Sequence, residues 1–564
     1  MSYTGAQILM ESLKSVGVEH IFGYPGGAVI PVFDVLNKTD FKFILTRHEQ
    51  AAAHAADGYA RITGKPGVVI VTSGPGATNT VTGIATANMD SSPIVVITGQ
   101  VKTTLIGTDA FQEVDITGIV RPITKHRYLV KNIHDLPRII KEAFYIASTG
   151  RPGPVLIDLP IDISLGTVEK FSIPDKVNLR GYKPNYKGHP LQIKKLAQAI
   201  KEAKRPIVYV GGGVKWSGAT KELREFLEKT QIPVTSTLMG LGVIDPDYKY
   251  YLDMLGMHGT VYANLSINES DLIIAIGVRF DDRVTGKVET FAPNAKIAHI
   301  DIDSASISKI IKVDIPVVGD AKQILQELNK IVEPGDYSEW QQFVLKLKEE
   351  NQLDLPHGDG RLHPQWIIKR TSDLTNGEVA IATDVGQHQM WVAQYYKFKY
   401  EKQLLTSGGL GTMGSGLPFA IGAAVAQLKE RKPVIVFSGD GSIQMNIQEL
   451  ATIKHENLPV KIFILNNSYL GMVRQWQELF WNRNYSGTFL GTGTKYYPDF
   501  VKLAESYDIP AIRVFKEEEV DDAIRKALEY DGPYLIEFVI EKEENVFPMV
   551  PAGRGLTEIM RGMA

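Results

Sequence analysis

Residues 434–467 read VIVFSGDGSIQMNIQELATIKHENLPVKIFILNN, and they predict a strand, a tight turn, a helix and a second strand. The apolar runs at 434–437 and 461–465 are short and flanked by turn residues, as strands usually are. Apolar residues between the runs keep the spacing of one helical face. A right-handed crossover brings the carboxyl ends of two parallel strands to one sheet edge, so we expect Asp440 and Asn467 to lie close together.

Asp440 and Asn467 carry the oxygen ligands that a hard divalent cation prefers. Such a cation takes about six oxygens, and substrate phosphates and water usually supply several of them. The main-chain oxygen of Tyr469 would be a third protein ligand. Gly439 and Gly441 let the backbone approach a phosphate group closely, because glycine has no Cβ. The stretch therefore predicts a cradle for a metal ion and a diphosphate.

Simpler interpretations exist for both parts of this pattern. Gly-Asp-Gly is a common turn, and Asn-Asn often marks only the end of a strand. The chain contains a second Gly-Asp-Gly at 358–360, which has no apolar run before it and no asparagine pair after it. We predict a linker turn at 358–360 and a functional site only at 439–467, where both parts occur together.

Composition narrows the class of protein. A chain of 564 residues with 44% apolar content is long enough for about three domains. The net charge of −3 is spread over both signs, so neither nucleic acid nor an anionic membrane is an expected partner. The absence of cysteine excludes disulfides, thiolate metal sites and a cysteine nucleophile. The apolar runs are shorter than the about 20 residues that span a bilayer, and we expect a cytoplasmic protein.

Strand-like and helical stretches alternate along most of the chain, which predicts an α/β fold with three doubly wound domains and mostly parallel sheets. Strand-like apolar runs begin near residues 20, 41, 67, 93 and 154 in the first block. They begin near 206, 233, 271 and 295 in the second block, and near 379, 404, 434, 461 and 533 in the third. The predicted boundaries are blocks at 1–165, 191–332 and 363–550, linkers at 166–190 and 333–362, and a tail at 551–564. The tail is rich in Pro, Gly and Met, and it either folds over a site or frays.

Gly-Asp-Gly followed about two dozen residues later by Asn-Asn resembles the thiamin diphosphate motif. The whole chain resembles the catalytic subunits of the acetohydroxyacid synthase (acetolactate synthase) family. This resemblance implies a pyrimidine-binding domain at 1–165, a Rossmann-like FAD domain at 191–332 and a diphosphate- and metal-binding domain at 363–550. The implied cofactors are thiamin diphosphate, Mg²⁺ and FAD, and the flavin has no redox role in the reaction.

The resemblance also implies an activity. Members of the family decarboxylate pyruvate and transfer the hydroxyethyl unit to a second pyruvate or to 2-oxobutanoate. The products, 2-acetolactate and 2-aceto-2-hydroxybutanoate, lead to valine, leucine and isoleucine. Active sites lie between subunits, so the resemblance implies a homodimer or homotetramer and leaves open a small regulatory subunit.

Glu49 stands where a predicted strand meets an alanine-rich helix. A carboxylate there is stabilised by the positive end of the helix, which would explain an acid on structural grounds alone. The family resemblance instead places Glu49 against the pyrimidine ring, where its proton favours the imino form of the cofactor. By the same resemblance Gly27 and Gln112 are catalytic, and Gly26 approaches the cofactor.

The remaining residues that the resemblance implies fall into three groups. Those for thiamin diphosphate are Val385, Gly386, Gln387, His388, Gly411, Met413, Gly439, Asp440, Gly441, Ser442, Asn467, Tyr469, Gly471 and Met472. Those for FAD are Arg151, Gly211, Gly212, Gly213, Thr237, Leu238, Met257, His258, Arg279, Asp301, Ile302, Asp320 and Ala321. Those for the substrate are Phe111, Met254, Arg283, Val473 and Trp476.

Some of these residues have an ordinary structural interpretation as well. Arg283 would bind the carboxylate of a 2-oxo acid through its planar fork, or it would pair with Asp281 or Asp282 on the surface. Met413 would support a bent cofactor, and Trp476 would shape the pocket of the second substrate, or both would be core residues. The flavin-free acetolactate synthases lack the segment at 279–283.

The sequence departs from the family pattern at two positions, where Lys102 replaces the usual proline and Ile161 the usual lysine. These changes predict a different charge distribution along the channel to the active site. Two other functions stay open. A pyruvate oxidase would pass electrons from the same reaction to the flavin, and a catalytically inactive relative would serve only as a partner subunit.

Overall fold

The computed structural model describes residues 2–492 and 497–562. Its three large sheets each have six strands, and every strand pair within them is parallel. Helices cover both faces of each sheet, so the central strands are apolar and buried on both sides. The predicted fold class, three α/β domains with mostly parallel sheets, is confirmed.

The first sheet is built from residues 20–160. In spatial order its strands are Lys42–Leu45, His20–Tyr24, Gly67–Val71, Ile94–Gln100, Val155–Pro160 and His126–Leu129. The α-helices of this domain are Gly5–Ser15, Ile30–Leu36, Glu49–Thr63, Pro75–Thr78, Val81–Met89, Ile116–Ile119, Leu136–Ser148 and Ile161–Leu165. A separate antiparallel pair joins Tyr3–Thr4 to Thr167–Val168 and ties the start of the domain to its end.

The central sheet has a different strand order. Its strands in space are Tyr251–Met254, Val234–Ser236, Pro206–Val210, Leu272–Ile276, Lys296–Asp301 and Ile315–Val318. Counted along the chain this is the order 3-2-1-4-5-6, which is the order of dinucleotide-binding Rossmann folds. The α-helices are Pro190–Glu202, Gly212–Ser217, Thr220–Thr230, Val261–Glu269, Asp282–Thr285, Ala321–Ile331 and Ser338–Glu350.

The third sheet repeats the order of the first. Its strands in space are Leu404–Leu405, Ala380–Thr383, Val434–Gly439, Val460–Asn466, Tyr534–Val539 and Ala511–Val514. Both sheets therefore have the order 2-1-3-4-6-5 along the chain. The α-helices are Pro364–Leu374, Gln387–Tyr395, Gly416–Ala426, Leu450–His455, Gly471–Phe480, Phe500–Ser506 and Val520–Glu529.

Residues 434–467 form the predicted strand, turn, helix and strand. The two strands are adjacent and parallel, and Gly439 pairs in register with Leu465. The helical part begins with two short 3₁₀ turns and continues as Leu450–His455. Asp440 and Asn467 therefore follow neighbouring strand ends, as predicted, whereas the second Gly-Asp-Gly at 358–360 forms a turn outside the sheets.

Two segments outside the predicted blocks, the linker at 333–362 and the tail, contain residues that pack on the central domain. The helix Ser338–Glu350 packs on the central domain, and the Trp340 indole nitrogen donates to the Pro206 carbonyl at 2.9 Å. The tail folds back, because Met549 and Met560 exchange main-chain hydrogen bonds of 2.9 and 2.8 Å and Leu556 is buried. Up to residue 562 the tail covers the central domain rather than fraying, and residues 563 and 564 lie outside the described residues. Among the described helices none is long and apolar enough to cross a membrane.

The helices Glu49–Thr63 and Gly416–Ala426 join the first domain to the third. They are rich in alanine and glycine, and one continuous apolar core includes residues of both. A Cβ on Gly422 would overlap the carbonyl oxygen of Ala55, and a Cβ on Gly58 would overlap that of Phe419. The two backbones approach this closely only because glycine stands at the contacts.

We expect Gly422→Ala to lower the free energy of unfolding by about 1–3 kcal/mol, the usual cost of overpacking a core. The direction is informative, because alanine in a helix would otherwise stabilise by about 1 kcal/mol. Thermal unfolding of the two proteins measures the difference. Gly181→Ala is the control, since its Cβ meets no atom within 4 Å. Equal melting temperatures for Gly422→Ala and the parent would show that the helices can move apart at no cost.

Candidate functional site

A small cavity of about 60 Å³ lies at the carboxyl edge of the third sheet. The strands Ala380–Thr383 and Val434–Gly439 are neighbours there, and the strand order reverses between them, which opens a crevice. The predicted thiamin diphosphate residues that line it are Val385, Gly386, Gln387, His388, Met413, Gly439, Asp440, Gly441, Ser442, Asn467, Tyr469, Gly471 and Met472. Gly411 lies in the wall of the adjoining large cavity instead.

Asp440 is the most unusual group in this cavity. Its side chain is buried, with 1% of the residue exposed, and neither carboxylate oxygen has a hydrogen-bond partner among the described residues. Burial raises its pKa to about 7, although the nearby main-chain amides of Asp440 and Asn467 offset part of the effect. Buried polar groups are nearly always paired in native proteins, so this carboxylate fits a cation ligand.

Asn467 is oriented by its neighbours. Its amide oxygen accepts a hydrogen bond from the Tyr469 main-chain nitrogen at 3.1 Å, which leaves one lone pair of that oxygen free to bind a cation. Its amide nitrogen lies 3.5 Å from the side-chain oxygen of Gln387. Gln387 in turn donates to the Gln475 side chain and to the Glu544 carbonyl, both at 2.8 Å. The candidate ligand is therefore held by a second row of buried groups.

The donor set matches a cation that retains phosphate and water ligands. No group of three or more His, Cys, Asp or Glu side chains in residues 2–492 and 497–562 is arranged to hold a metal ion. A site at Asp440 relies instead on one carboxylate with amide and main-chain oxygens, as Mg²⁺ sites beside phosphates do. Gly471 belongs to the same cradle, since a Cβ there would overlap the Gln387 side-chain oxygen.

His388 and Met413 also line the small cavity. His388 is buried, and its Nε2 has no partner within the part of the chain that the structure describes. Burial lowers the pKa of His388 to about 3, so the ring is neutral. Met413 lines both cavities, and so do Val385, Gly386, Met472 and Val473. The two cavities therefore share a wall.

A large cavity of about 750 Å³ lies between the central domain and the other two. Every residue predicted for FAD lines it, including Arg151 from the first domain. It opens where the central sheet reverses its order, between the strands Pro206–Val210 and Leu272–Ile276. The Gly213 main-chain nitrogen donates to the Gly277 carbonyl at 3.0 Å, so the two loops at this point touch through glycine. The volume and the strand order fit a dinucleotide.

Four of the predicted substrate residues, Met254, Arg283, Val473 and Trp476, line the large cavity near the shared wall. The Arg283 guanidinium carbon lies 5.9 Å from the centre of the Trp476 ring. It also approaches Asp282 at 3.8 Å, so the cation–π contact and the surface ion pair occur together. A bound carboxylate would compete with Asp282 for the same guanidinium.

Glu49 and the other residues predicted from the first domain form a separate cluster. Glu49 is the first residue of its helix, and its carboxylate accepts a hydrogen bond from the Asn79 amide at 2.9 Å. Gly26 lies against Thr72, and Gln112 lies against Gly74. This cluster stands at the crevice of the first sheet, the counterpart of the crevice in the third sheet.

The five residues Gly26, Gly27, Glu49, Phe111 and Gln112 line neither cavity. Phe111 is 88% exposed, the highest exposed fraction among the large apolar side chains that the structure describes. Within one chain the two halves of the predicted site therefore do not meet in either cavity.

The two departures from the family pattern lie side by side. Lys102 is exposed at the start of a 3₁₀ turn, and Ile161 begins a short helix. The residues that follow them, Thr103 and Asp162, are joined by a hydrogen bond of 3.0 Å. The exchange that the resemblance implies at these two positions would move one positive charge from one side of this contact to the other.

Sequence reasoning missed several residues of these sites. Asn79, the partner of Glu49, ends the glycine-rich stretch SGPGATN at 73–79, whose pattern indicates only turns. Gln475 and Glu544 orient Gln387 from distant parts of the chain, and no local pattern marks them. Trp216 also lines the large cavity, three residues after the glycine run at 211–213, and its nearness to that run is a signal in the sequence.

We expect Asp440→Asn to leave the melting temperature of the metal-free protein unchanged or higher, because it removes an unpaired buried charge. Asp384→Asn is the matched control. Asp384 is also buried, but it accepts hydrogen bonds from the Gly416 main chain at 3.0 Å and the Ser438 hydroxyl at 2.6 Å. Its loss should cost about 1–3 kcal/mol. Equal destabilisation by the two variants in thermal unfolding would mean that Asp440 is paired after all.

Comparisons with known proteins agree with the three-domain architecture described above. Three thiamine pyrophosphate (thiamin diphosphate) enzyme models match, namely the N-terminal TPP binding domain at residues 3–119, the central domain at 193–328 and the C-terminal TPP binding domain at 384–538. The chain is 50% identical to a probable acetolactate synthase large subunit of Methanocaldococcus jannaschii, over 99% of this chain and 95% of that protein. It is 49% identical to the acetolactate synthase large subunit of Buchnera aphidicola subsp. Schizaphis graminum, over 99% and 98%. It is 48% identical to chloroplastic acetolactate synthase 1 of Nicotiana tabacum, over 99% and 84%. The chain therefore belongs to the acetolactate synthase large-subunit family of thiamin diphosphate enzymes.

Proposed function

We propose that this chain is the catalytic subunit of an acetolactate synthase. It decarboxylates pyruvate and transfers the hydroxyethyl unit to a second pyruvate or to 2-oxobutanoate, in the synthesis of branched-chain amino acids. Support comes from family membership over nearly the whole chain and from one structural observation. That observation is the unpaired, buried carboxylate of Asp440 in a glycine-lined crevice that shares a wall with a dinucleotide-sized cavity.

In this proposal Asp440, Asn467 and the Tyr469 main-chain oxygen hold a Mg²⁺ ion. Asp440 would pair with this divalent cation, which would also offset the negative charge of a bound diphosphate. This pairing accounts for a buried carboxylate that has no protein partner among the described residues. The backbone around Gly441 and Gly471 contacts the phosphates. Gln387 keeps the Asn467 amide in one orientation, since it is itself fixed by Gln475 and Glu544.

Thiamin diphosphate, when bound, supplies a positively charged ring that takes up the electron pair released as pyruvate loses carbon dioxide. The chain's own residues position the cofactor, shield it from water and exchange protons with it. Met413 supports the cofactor from the wall shared by the two cavities. Glu49 exchanges a proton with the pyrimidine ring nitrogen, and the Asn79 amide keeps its carboxylate in place. By the family resemblance, Gln112 and Gly27 would contact the reacting groups of the cofactor and substrate.

Because Glu49 lies outside both cavities of its own chain, we assign it to the site of a second subunit. The nearly fully exposed Phe111 fits the same arrangement, since a partner chain would cover it. The assembly is then a homodimer or homotetramer. A small regulatory subunit and a cytoplasmic location stay predictions from the sequence.

The large cavity holds FAD in this proposal, as a structural cofactor. Gly211, Gly212 and Gly213 follow the first strand of the central sheet, where a Rossmann fold receives a diphosphate. The flavin-binding residues extend from there to Arg151 and Asp320 at the cavity wall. This placement separates the protein from flavin-free enzymes that make acetolactate.

Arg283 binds the carboxylate of the second 2-oxo acid, and Trp476 limits the space beside it. Their cation–π contact fixes the guanidinium against the ring, so that one side of its fork faces the cavity. Pyruvate and 2-oxobutanoate differ by one methylene group. A pocket of this kind discriminates between two such substrates by about 1–3 kcal/mol.

A product assay with both 2-oxo acids in competition tests the function. With thiamin diphosphate, Mg²⁺ and FAD we expect both acetohydroxy acids, and the flavin should remain oxidised when pyruvate is added without oxygen. Bleaching of the flavin under those conditions would support the oxidase instead. If no carbon dioxide is released with all three cofactors present, the inactive-subunit reading replaces the proposal.

We expect Glu49→Gln to bind thiamin diphosphate but to exchange the C2 proton of the cofactor at least about a hundredfold more slowly, the range expected for loss of acid–base catalysis. Hydrogen–deuterium exchange followed by NMR after acid quench measures the rate. Asn79→Ala is the companion variant and should show a smaller loss, because it removes only the partner of the carboxylate. An unchanged rate in Glu49→Gln would remove Glu49 from its assigned role.

A further inference from the structure

A buried ion network crosses from the first domain to the third. Arg61, on the helix Glu49–Thr63, donates to both oxygens of Asp57 at 2.7 and 3.0 Å and to Asp90 at 2.9 Å. Its remaining nitrogen donates to the Thr406 carbonyl of the third domain at 2.8 Å. The carboxylates of Asp57 and Asp90 are fully buried and the guanidinium nearly so.

Asp90 has a second set of contacts that Asp57 lacks. Its two carboxylate oxygens accept hydrogen bonds from the main-chain nitrogens of Gly408, at 3.2 Å, and Gly409, at 2.7 Å. Asp57 binds the same guanidinium but has no hydrogen bond to residues 407–413 within the part of the chain that the structure describes. One carboxylate thus joins Arg61 to the backbone of another domain.

The glycine loop, residues 407–413, is where the three domains meet. Ser407 to Gly411 and Met413 all line the large cavity, and Met413 continues into the small one. A Cβ on Gly408 would lie 2.5 Å from the Met239 sulfur of the central domain, and one on Gly409 would lie 3.1 Å from the Arg279 guanidinium. The loop therefore lies against Met239 and Arg279 of the central domain, and any shift of the loop would change the walls of both cavities.

Charge explains why a carboxylate stands at position 90. Two buried carboxylates share the single guanidinium of Arg61, so part of their negative charge has to be met by other donors. The amides of Gly408 and Gly409 are the donors that meet it, and hydrogen bonds to an ionised acceptor are stronger than neutral ones. A neutral side chain at 90 would leave one of these amides without an acceptor.

We propose that Asp90 is a positioning residue that fixes the glycine loop, and through it Gly411 and Met413, for both cofactor sites. The inference rests on the proposed function for the identity of the cofactors, whereas the geometry of the loop stands without it. Asp90 acts through the backbone that it holds. A second anchor supports the far end of the loop, because Thr86 and Thr412 are joined by a hydrogen bond of 2.8 Å between their hydroxyls.

The first measurement needs no cofactor. In the cofactor-free protein, hydrogen–deuterium exchange of a peptide covering 404–414 should be at least about tenfold faster in Asp90→Asn than in the parent, which corresponds to about 1.4 kcal/mol. Asp57→Asn is the matched control, with the same chemical change beside the same guanidinium. Its exchange in this peptide should stay within about threefold of the parent.

The second measurement uses the loaded protein. The dissociation constant of FAD, from flavin fluorescence, and the half-saturating concentration of thiamin diphosphate should both rise at least about tenfold in Asp90→Asn and stay near the parent in Asp57→Asn. Asp90→Glu serves if Asp90→Asn does not fold. It keeps the charge opposite Arg61 but moves the acceptor oxygens by one methylene, so the same peptide should exchange faster.

Two outcomes would overturn the inference. One is normal exchange of the 404–414 peptide in Asp90→Asn and Asp90→Glu. The other is an equal effect in Asp57→Asn, which would reduce Asp90 to an ordinary member of the domain contact. If the parent itself binds neither FAD nor thiamin diphosphate, the proposed function fails, and the exchange measurement still decides whether Asp90 holds the loop.

Discussion

The parallel arrangement of the strands is the constraint on which the rest of the structure depends. Parallel strands present their carboxyl ends at one edge, and a sheet that is wound in both directions opens a crevice where the order reverses. This chain uses the constraint three times, twice with the order 2-1-3-4-6-5 and once with 3-2-1-4-5-6. Each crevice is lined by the loops in which the chemistry-bearing residues stand, so the sites follow from topology before any side chain is considered.

Three buried carboxylates of this chain differ in the partners that they have. Asp384 is satisfied within its own domain by the Gly416 amide and the Ser438 hydroxyl. Asp90 is satisfied by Arg61 and by the glycine loop, across a domain boundary. Asp440 has no partner among the described residues. Since desolvating a carboxylate is costly, the contrast separates residues that build the protein from the one that fits a cation.

The sequence predicted the central strands and the crevice of the third sheet because their signals are local. Continuous apolar runs and glycine turns predicted the buried strands, and the paired motif at 439–467 predicted that Asp440 and Asn467 lie at one sheet edge, where both line the small cavity. The strands that were missed are His126–Leu129, Tyr251–Met254, Ile315–Val318 and Ala511–Val514. All four stand at sheet edges, where one side lacks a neighbour. Edge strands carry charged residues or proline, as Arg513 and Pro316 do here, and this weakens the apolar pattern.

Contacts between distant segments could not be predicted in the same way. The bond between Asp90 and Gly409 spans more than three hundred residues, and nothing at either position marks its partner. The clustering of Arg283 with Trp476 is a similar case, because it requires the central and third domains to be docked. Family resemblance implied Arg283 and Trp476 only as separate residues, and the structure shows that the guanidinium of one lies over the ring of the other.

The predicted site has two halves in each chain, and hydrogen bonds connect them. Glu449, just after the Gly-Asp-Gly turn, is buried and accepts a hydrogen bond from the Arg47 main-chain nitrogen at 2.9 Å. Thr452 donates to the Leu45 carbonyl at 3.2 Å. The backbone that leads to Glu49 is thus held by the helix that follows Asp440. In the proposed assembly, Glu49 serves the site of a partner subunit. Each chain then contributes half of one active centre and half of another, and these two hydrogen bonds connect the halves. The fold of a single chain therefore fixes the active centres of the assembly relative to each other.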